Sequence, residues 1–194
     1  EQFELEGQQL RYQQVEGSFT QPNGEVNRKM LSWAKAISQQ LSGDLLELYC
    51  GNGNFSIALA PCFDQVIATE ISRTSIKSAQ YNITLNNVTN LQVLQMPAED
   101  VSAALQHGSK LKQLDLTEMQ LGTVLVDPPR AGLDDGTVQL VSRFNDILYI
   151  SCNPETLAQN LQVLIQSHDI VKLAVFDQFP YTHHIETGVW LRKR

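Results

Sequence analysis

From residue 43 onward the chain alternates short apolar runs with amphipathic stretches, and no other feature limits its fold as tightly. Runs near 45–49, 65–69, 91–95, 122–126, 146–150 and 170–176, with a last near 188–192, have the length of buried strands. Between them, segments near 54–60, 72–86, 97–105, 134–142 and 155–167 carry helical periodicity. In the last of these, Leu157, Leu161, Leu164 and Ile165 share one face. Strand–helix alternation with right-handed crossovers implies an α/β fold: a doubly wound, mostly parallel seven-stranded sheet of Rossmann-like type. Ligands of such sheets sit at the carboxyl ends of the strands, near the reversal of strand order. The search for function therefore narrows to the residues that follow each strand.

Upstream, residues 24–41 read as a further helix through Met30, Leu31, Trp33, Ala34, Ile37 and Leu41. Residues 1–17 alternate weakly through Phe3, Leu5, Leu10, Tyr12 and Val15, as a short strand or extended arm belonging to something upstream. The expected division is an arm over 1–20 and a domain over 21–194. The polar connector from Gln106 to Gln120 takes no assignment.

With 194 residues, 42% of them hydrophobic and 18% charged, the chain can bury a full-sized core and is not a disordered sequence. No apolar stretch approaches the roughly 18 residues of a membrane span, and no signal peptide is expected. Cys50, Cys62 and Cys152 form an odd set without a Cys-x-x-Cys pair, which argues against disulfides and zinc and for a reducing cytoplasm. A net charge of −7 counts against a nucleic-acid partner, although Arg130, Arg143 and Arg192-Lys193-Arg194 can form a local basic patch.

Glu47-Leu48-Tyr49-Cys50-Gly51-Asn52-Gly53-Asn54-Phe55-Ser56 follows the first strand of the alternation and opens a helix. Gly51 and Gly53 let the backbone approach a ligand closely. Dinucleotide binding is one reading of the turn. Against it, Ser56 stands where the third glycine of that fingerprint belongs, and the surroundings are acidic and polar. Glu70 ends the second strand, where a carboxylate can bind two ribose hydroxyls. This set suits S-adenosylmethionine, a nucleoside that carries a sulfonium and no phosphate. Cys50 reads as a small core residue, and Cys62, after Pro61, as incidental.

Leu148-Tyr149-Ile150-Ser151-Cys152-Asn153-Pro154 ends a strand in a thiol and continues with a helix N-cap and first residue. The positive end of that helix is expected to lower the thiol pKa, which makes Cys152 a candidate nucleophile. Asp127, before the stiff Pro128-Pro129, can face the methionyl amine of the cofactor or the reacting base. Arg130 can meet phosphate, a uracil oxygen or a structural ion pair. Glu186 is a potential base, or alternatively a solvated or salt-bridged carboxylate. His183 and His184 are adjacent and cannot both face one metal from a strand, so at least one reads as a hydrogen-bonding group. A soft nucleophile with a base across from it suits attack on carbon 6 of uracil, which activates carbon 5 for methylation. Transfer to an exocyclic amine, as in adenine methyltransferases, needs an aromatic where Arg130 stands and has no use for Cys152.

Three motifs in order carry a resemblance: Asp127-Pro128-Pro129-Arg130-Ala131-Gly132, then Leu148 to Asn153 with Thr156, then Asp177-Gln178-Phe179-Pro180-Tyr181-Thr182-His183-His184-Ile185-Glu186. The chain resembles the RNA uracil-C5 methyltransferases, and most closely their bacterial tRNA branch, from Phe19-Thr20-Gln21-Pro22-Asn23 to Glu186. The resemblance implies a class I S-adenosylmethionine-dependent methyltransferase that makes 5-methyluridine in the T-loop of tRNA. It implies Cys152 as nucleophile, Glu186 as proton acceptor, and Gln21, Tyr49, Asn54, Glu70 and Asp127 as cofactor contacts beside Gly51. Gln178 through His184 favours the tRNA over the ribosomal-RNA branch. The family carries a substantial segment before this point, and some members an upstream cysteine cluster for an iron–sulfur centre, which this chain lacks. A cofactor- or RNA-binding module without turnover is therefore a second reading. Neither DNA, a metal nor a membrane is an expected partner.

Overall fold

The computed structural model describes residues 1–16, 20–107, 119–182 and 184–194. Phe19, His183 and most of the 106–120 connector thus lie outside the described residues. Seven strands form one sheet: β3 (Asp44–Leu48), β4 (Val66–Glu70), β5 (Leu91–Gln95), β6 (Leu121–Val126), β7 (Asp146–Ser151), β8 (His168–Phe176) and β9 (Glu186–Lys193). Their order is β5-β4-β3-β6-β7-β9-β8. The pairs within β5-β4-β3-β6-β7 are parallel, whereas β9 runs antiparallel to both β7 and β8. The order reverses between β3 and β6, so the crevice expected of a doubly wound sheet opens there.

Helices α2 (Asn54–Leu59), α3 (Arg73–Leu85), α4 (Ala98–His107), α5 (Asp135–Val141) and α6 (Pro154–Leu164) alternate with the strands, and α1 (Gly24–Ser38) precedes them. None of the described helices is long and apolar enough to cross a membrane. The helices expected over 24–41, 54–60 and 155–167 are all shorter in the structure. Pro61 cannot continue α2, which tightens into a 3-10 turn over Ala60–Cys62. The cap reading of α6 holds: Asn153 Oδ1 accepts from Glu155 N at 3.1 Å and Pro154 is the first helical residue.

Alternate residues of the central strands feed two cores, one on each face of the sheet. Leu45, Leu125, Leu148 and Ile150 pack with α1 and α2 through Met30, Leu31, Phe55 and Ile57. Leu46, Val124, Val126 and Tyr149 pack on the other side with Val138, Leu140 and Leu157. Each such side chain removed from water contributes roughly 1.5–3 kcal/mol. On the first face Gly188 in β9 is sterically required, because a Cβ there would lie 2.8 Å from the Trp33 ring.

The first residues form a hairpin, β1 (Gln2–Leu5) and β2 (Gln8–Arg11), rather than a free arm. Leu5, Leu10 and Tyr12 are buried in the same core as α1. Asn86 clasps the Arg11 backbone, accepting from its N–H at 2.9 Å and donating to its carbonyl at 2.7 Å. Weak polar alternation in the sequence gives no sign of which surface these residues cover.

Candidate active site

One cavity of about 630 Å³ opens at the carboxyl ends of β3, β4, β6 and β7. Gln21, Tyr49, Gly51, Asn54, Glu70, Asp127, Cys152 and Glu186 all line it. Its walls are acidic: Glu47, Glu70, Asp127 and Glu186 contribute carboxyl groups. Arg130 is the one basic side chain among its described lining. A smaller recess of about 140 Å³ adjoins it, walled by Tyr49, Glu70, Ile71, Met96 and Pro97.

The turn after β3 is shaped by left-handed backbone. Tyr49, Gly51 and Gly53 have φ of 64°, 55° and 85°. A Cβ at Gly51 would meet no atom within 4 Å, so this backbone faces open space. A Cβ at Gly53 would lie 3.1 Å from Ile57, so this glycine serves close packing of the turn on its helix. Glu70 organises the turn: Oε2 accepts from Gly51 N at 3.0 Å, and Oε1 from Ile71 N and Ser72 N, each at 2.8 Å. Asn54 and the buried Asn27 exchange amide hydrogen bonds of 2.8 and 3.0 Å. Tyr12 closes the floor by donating to the Asn54 carbonyl at 2.9 Å.

Glu47 opens this segment, and its role is not legible from the sequence. It is 1% exposed and lines the cavity. Oε2 accepts a hydrogen bond from Ser56, while Oε1 has no partner among the described residues. Burial pushes its pKa up to about 8 against the pull of Ser56, with the Asp127 and Glu70 carboxylates adding to the rise. Ile71 and Met96 were also missed. Ile71 is 67% exposed directly after a strand-end carboxylate, and a large apolar residue at that position was the available signal.

Asp127, Cys152 and Glu186 lie at the ends of three neighbouring strands. Ser151 in β7 pairs with Thr187 in β9, so extending the register by one residue sets Cys152 beside Glu186. Asp127 follows Val126, which pairs with Tyr149 of β7. The Pro128–Gly132 loop is tied to the start of α6: Asn153 Nδ2 and Thr156 Oγ1 both donate to the Arg130 carbonyl, at 3.0 and 3.2 Å. Arg130 Nη2 donates to His184 Nδ1 at 3.2 Å, and the His184 ring meets Phe179 edge-on at 5.9 Å. Among the described residues, the side-chain partner of Arg130 is this histidine. Gln178 is buried and donates to Gln21 at 2.7 Å, joining the loop after β8 to the segment before α1.

The expectation of a lowered thiol pKa is not met. Burial pushes Cys152 up, the Glu186 and Asp127 carboxylates push it further, and Arg130 acts in the opposite sense. Glu186 is 2% exposed with Oε2 unpartnered, and burial raises its pKa to about 7. Asp127 opens on the cavity yet sits deep; burial and then Glu186 push it up to about 8. Cys50 is a buried core thiol, and Cys62 is half-buried away from the cavity lining.

This strand order, with an antiparallel β9 inserted beside β7 and a crevice at the reversal, defines the class I methyltransferase fold. An N-methyltransferase, NodS from Bradyrhizobium japonicum WM9, shares it at a TM-score of 0.67 and 12% identity, over 88% of this chain and 98% of that one. A family model described as tRNA (Uracil-5-)-methyltransferase matches residues 1–194, and the chain belongs to that family. The tRNA/tmRNA (uracil-C(5))-methyltransferase of Marinomonas sp. (strain MWYL1) is 57% identical, over 100% of this chain and 54% of its own length. The protein of the same name from Shewanella amazonensis is 55% identical, again over 100% and 54%. The chain thus spans about half the length of these relatives. A tRNA (uracil-54, C5)-methyltransferase from Pyrococcus abyssi, solved with S-adenosyl-L-homocysteine, aligns at a TM-score of 0.75 and 29% identity, over 98% of this chain and 43% of that one.

Proposed function

We propose that this chain carries the methyl-transfer centre of a tRNA uracil-C5 methyltransferase that converts a T-loop uridine to 5-methyluridine. The observation that carries this reading is that Cys152, one residue past the end of β7, and Glu186, the first residue of the neighbouring antiparallel β9, line one cavity with carboxyl groups in its wall. The lining fits S-adenosylmethionine. Carboxyl groups in the lining suit a ligand that carries a cation, and Gly51 leaves the backbone open to a close approach. Gln21, Tyr49, Gly51, Asn54, Glu70 and Asp127 would hold it, with Glu70 on the ribose and the Ile71–Met96 recess around the adenine. Bound there, it supplies an electrophilic methyl group on a sulfonium sulfur.

The chain's own residues do the rest. Uracil carbon 5 is a weak nucleophile, so Cys152 adds to carbon 6 and turns the ring into an enolate. Arg130, the cation at the mouth, can meet the charge that develops on the ring oxygen or the flanking phosphate. Once carbon 5 carries its new methyl group, Glu186 takes the proton left there, and the returning electron pair expels the Cys152 sulfur. A carboxyl with a pKa of about 7 is well matched to this task near neutrality. The target base must leave its stack to reach a thiol inside a cavity. Three free thiols suit a reducing compartment, and we place the reaction in the cytoplasm.

RNA carrying 5-fluorouridine at the target tests this reading. Fluorine cannot leave as a proton, so the intact protein with S-adenosylmethionine should form a covalent protein–RNA adduct through Cys152, read by gel shift and mass spectrometry. No adduct, together with methylation of an exocyclic amine, would replace this reading with the other enzyme class.

A further inference from the structure

The loop from β8 to β9 presents its two aromatic rings oppositely. Phe179 is half-buried and packs on His184, whereas Tyr181 is 105% exposed. Tyr181 also has a φ of 66°, a left-handed conformation that costs free energy in any residue with a Cβ. The loop around it is fastened: Thr182 N and Oγ1 donate to the Phe179 carbonyl at 3.2 and 2.7 Å, and His184 N donates to Thr182 Oγ1 at 3.1 Å. Arg130 holds His184 from the neighbouring loop, beside the cavity mouth. A ring held out in water by a fixed, strained backbone gains nothing within the chain itself. Such a ring is pre-organised for a flat partner, and it lies five residues before Glu186.

We propose that Tyr181 is a substrate-positioning residue that stacks on a nucleobase of the RNA next to the extruded uridine; this rests on the function proposed above. Extruding one base leaves the face of its neighbour unstacked, and an aromatic ring on the loop that Arg130 holds through His184 can replace the lost contact. Stacking asks for no charge, which suits a chain of net charge −7 whose cavity has a single basic side chain in its described lining.

The test uses the intact protein and a transcript bearing the target uridine. Tyr181→Ala should raise KM for RNA by about 5- to 100-fold, the range of a single base–aromatic stack. Its kcat and its affinity for S-adenosylmethionine should stay within about twofold of wild type, as for a contact made equally in ground and transition states. Tyr181→Phe keeps the ring and should behave as wild type. Tyr181→Gly relieves the left-handed backbone, so it should match Tyr181→Ala if stacking is what is lost. Tyr181→Trp should retain activity and show quenched fluorescence on RNA binding. A wild-type protein that methylates RNA while Tyr181→Ala keeps its KM overturns the stacking role alone. So does a fall in kcat with unchanged KM, which would mean the variant displaces Glu186. A wild-type protein that methylates no RNA uridine overturns this role together with the reading beneath it.

Discussion

The two halves of the cavity handle carboxyl groups in opposite ways. On the β3–β4 side, Glu70 spends both oxygens on three backbone N–H groups, and the turn it organises stands ready. On the β6–β7–β9 side, Asp127 and Glu186 are pushed up to about 8 and 7, and Glu186 keeps one oxygen without a partner. The first half has the character of a fixed binding surface, because its polar groups already have partners. The second keeps its polar groups underused, as a site must if it is to exchange protons during a reaction. Glu47 lies at the seam: its strand belongs to the first half, and its unpartnered oxygen behaves like the second.

Substitutions can break this contrast, and the largest effect is expected at Cys152. Cys152→Ala should remove turnover and the 5-fluorouridine adduct while leaving cofactor affinity unchanged by calorimetry. Retained turnover would show that the reactive half works without its sulfur. Next, Glu186→Gln should slow turnover by about 100- to 10,000-fold. Because it leaves the thiol in place, it should also accumulate the adduct with ordinary RNA. Loss of cofactor affinity alone would move Glu186 into the binding half.

In the first half, Glu70→Ala should weaken S-adenosylmethionine binding by about 10- to 100-fold, as loss of a charged hydrogen-bond acceptor implies. Adduct chemistry at saturating cofactor should change little. The smallest effect concerns Glu47 and is read from stability. Its carboxyl titrates near 4.5 when unfolded and near 8 when folded, so the folded chain holds the proton more tightly across that window. Stability contributed by the protonated form is complete below about 4.5 and is lost as pH rises towards 8. The Tm of the ligand-free protein should fall by roughly 10–20 °C over that range, and Glu47→Gln should reduce the slope. An unchanged slope would assign the proton uptake to Asp127 and Glu186 instead.

Much of the site is legible in the chain because its residues cluster just after strands, and strand ends show in one dimension. Tyr49, Gly51, Glu70, Asp127 and Cys152 all follow apolar runs whose periodicity is plain. Glu186 is different. It opens the last strand instead of closing one, and its nearness to Cys152 depends on β9 running antiparallel beside β7. Nothing in residues 186–193 announces that insertion. Glu47 escaped notice for a related reason: a carboxyl inside an apolar strand acquires meaning only when Ser56 and Asp127 come close from α2 and β6.

What the sequence by itself determined is the succession of strands and helices, the caps and turns that join them, and the kinds of chemical group placed at each junction. These follow from local backbone preference and from which faces must leave water. The tertiary structure alone decided the protonation tendencies and the partnerships. It set a half-buried Cys152 near the Glu186 and Asp127 carboxylates and raised its pKa where a helix start had promised the reverse. It folded residues 2–11 into the main core, and it turned Tyr181 outward while Phe179 turned in. Desolvation and proximity depend on groups distant in the chain, and a linear reading cannot supply them.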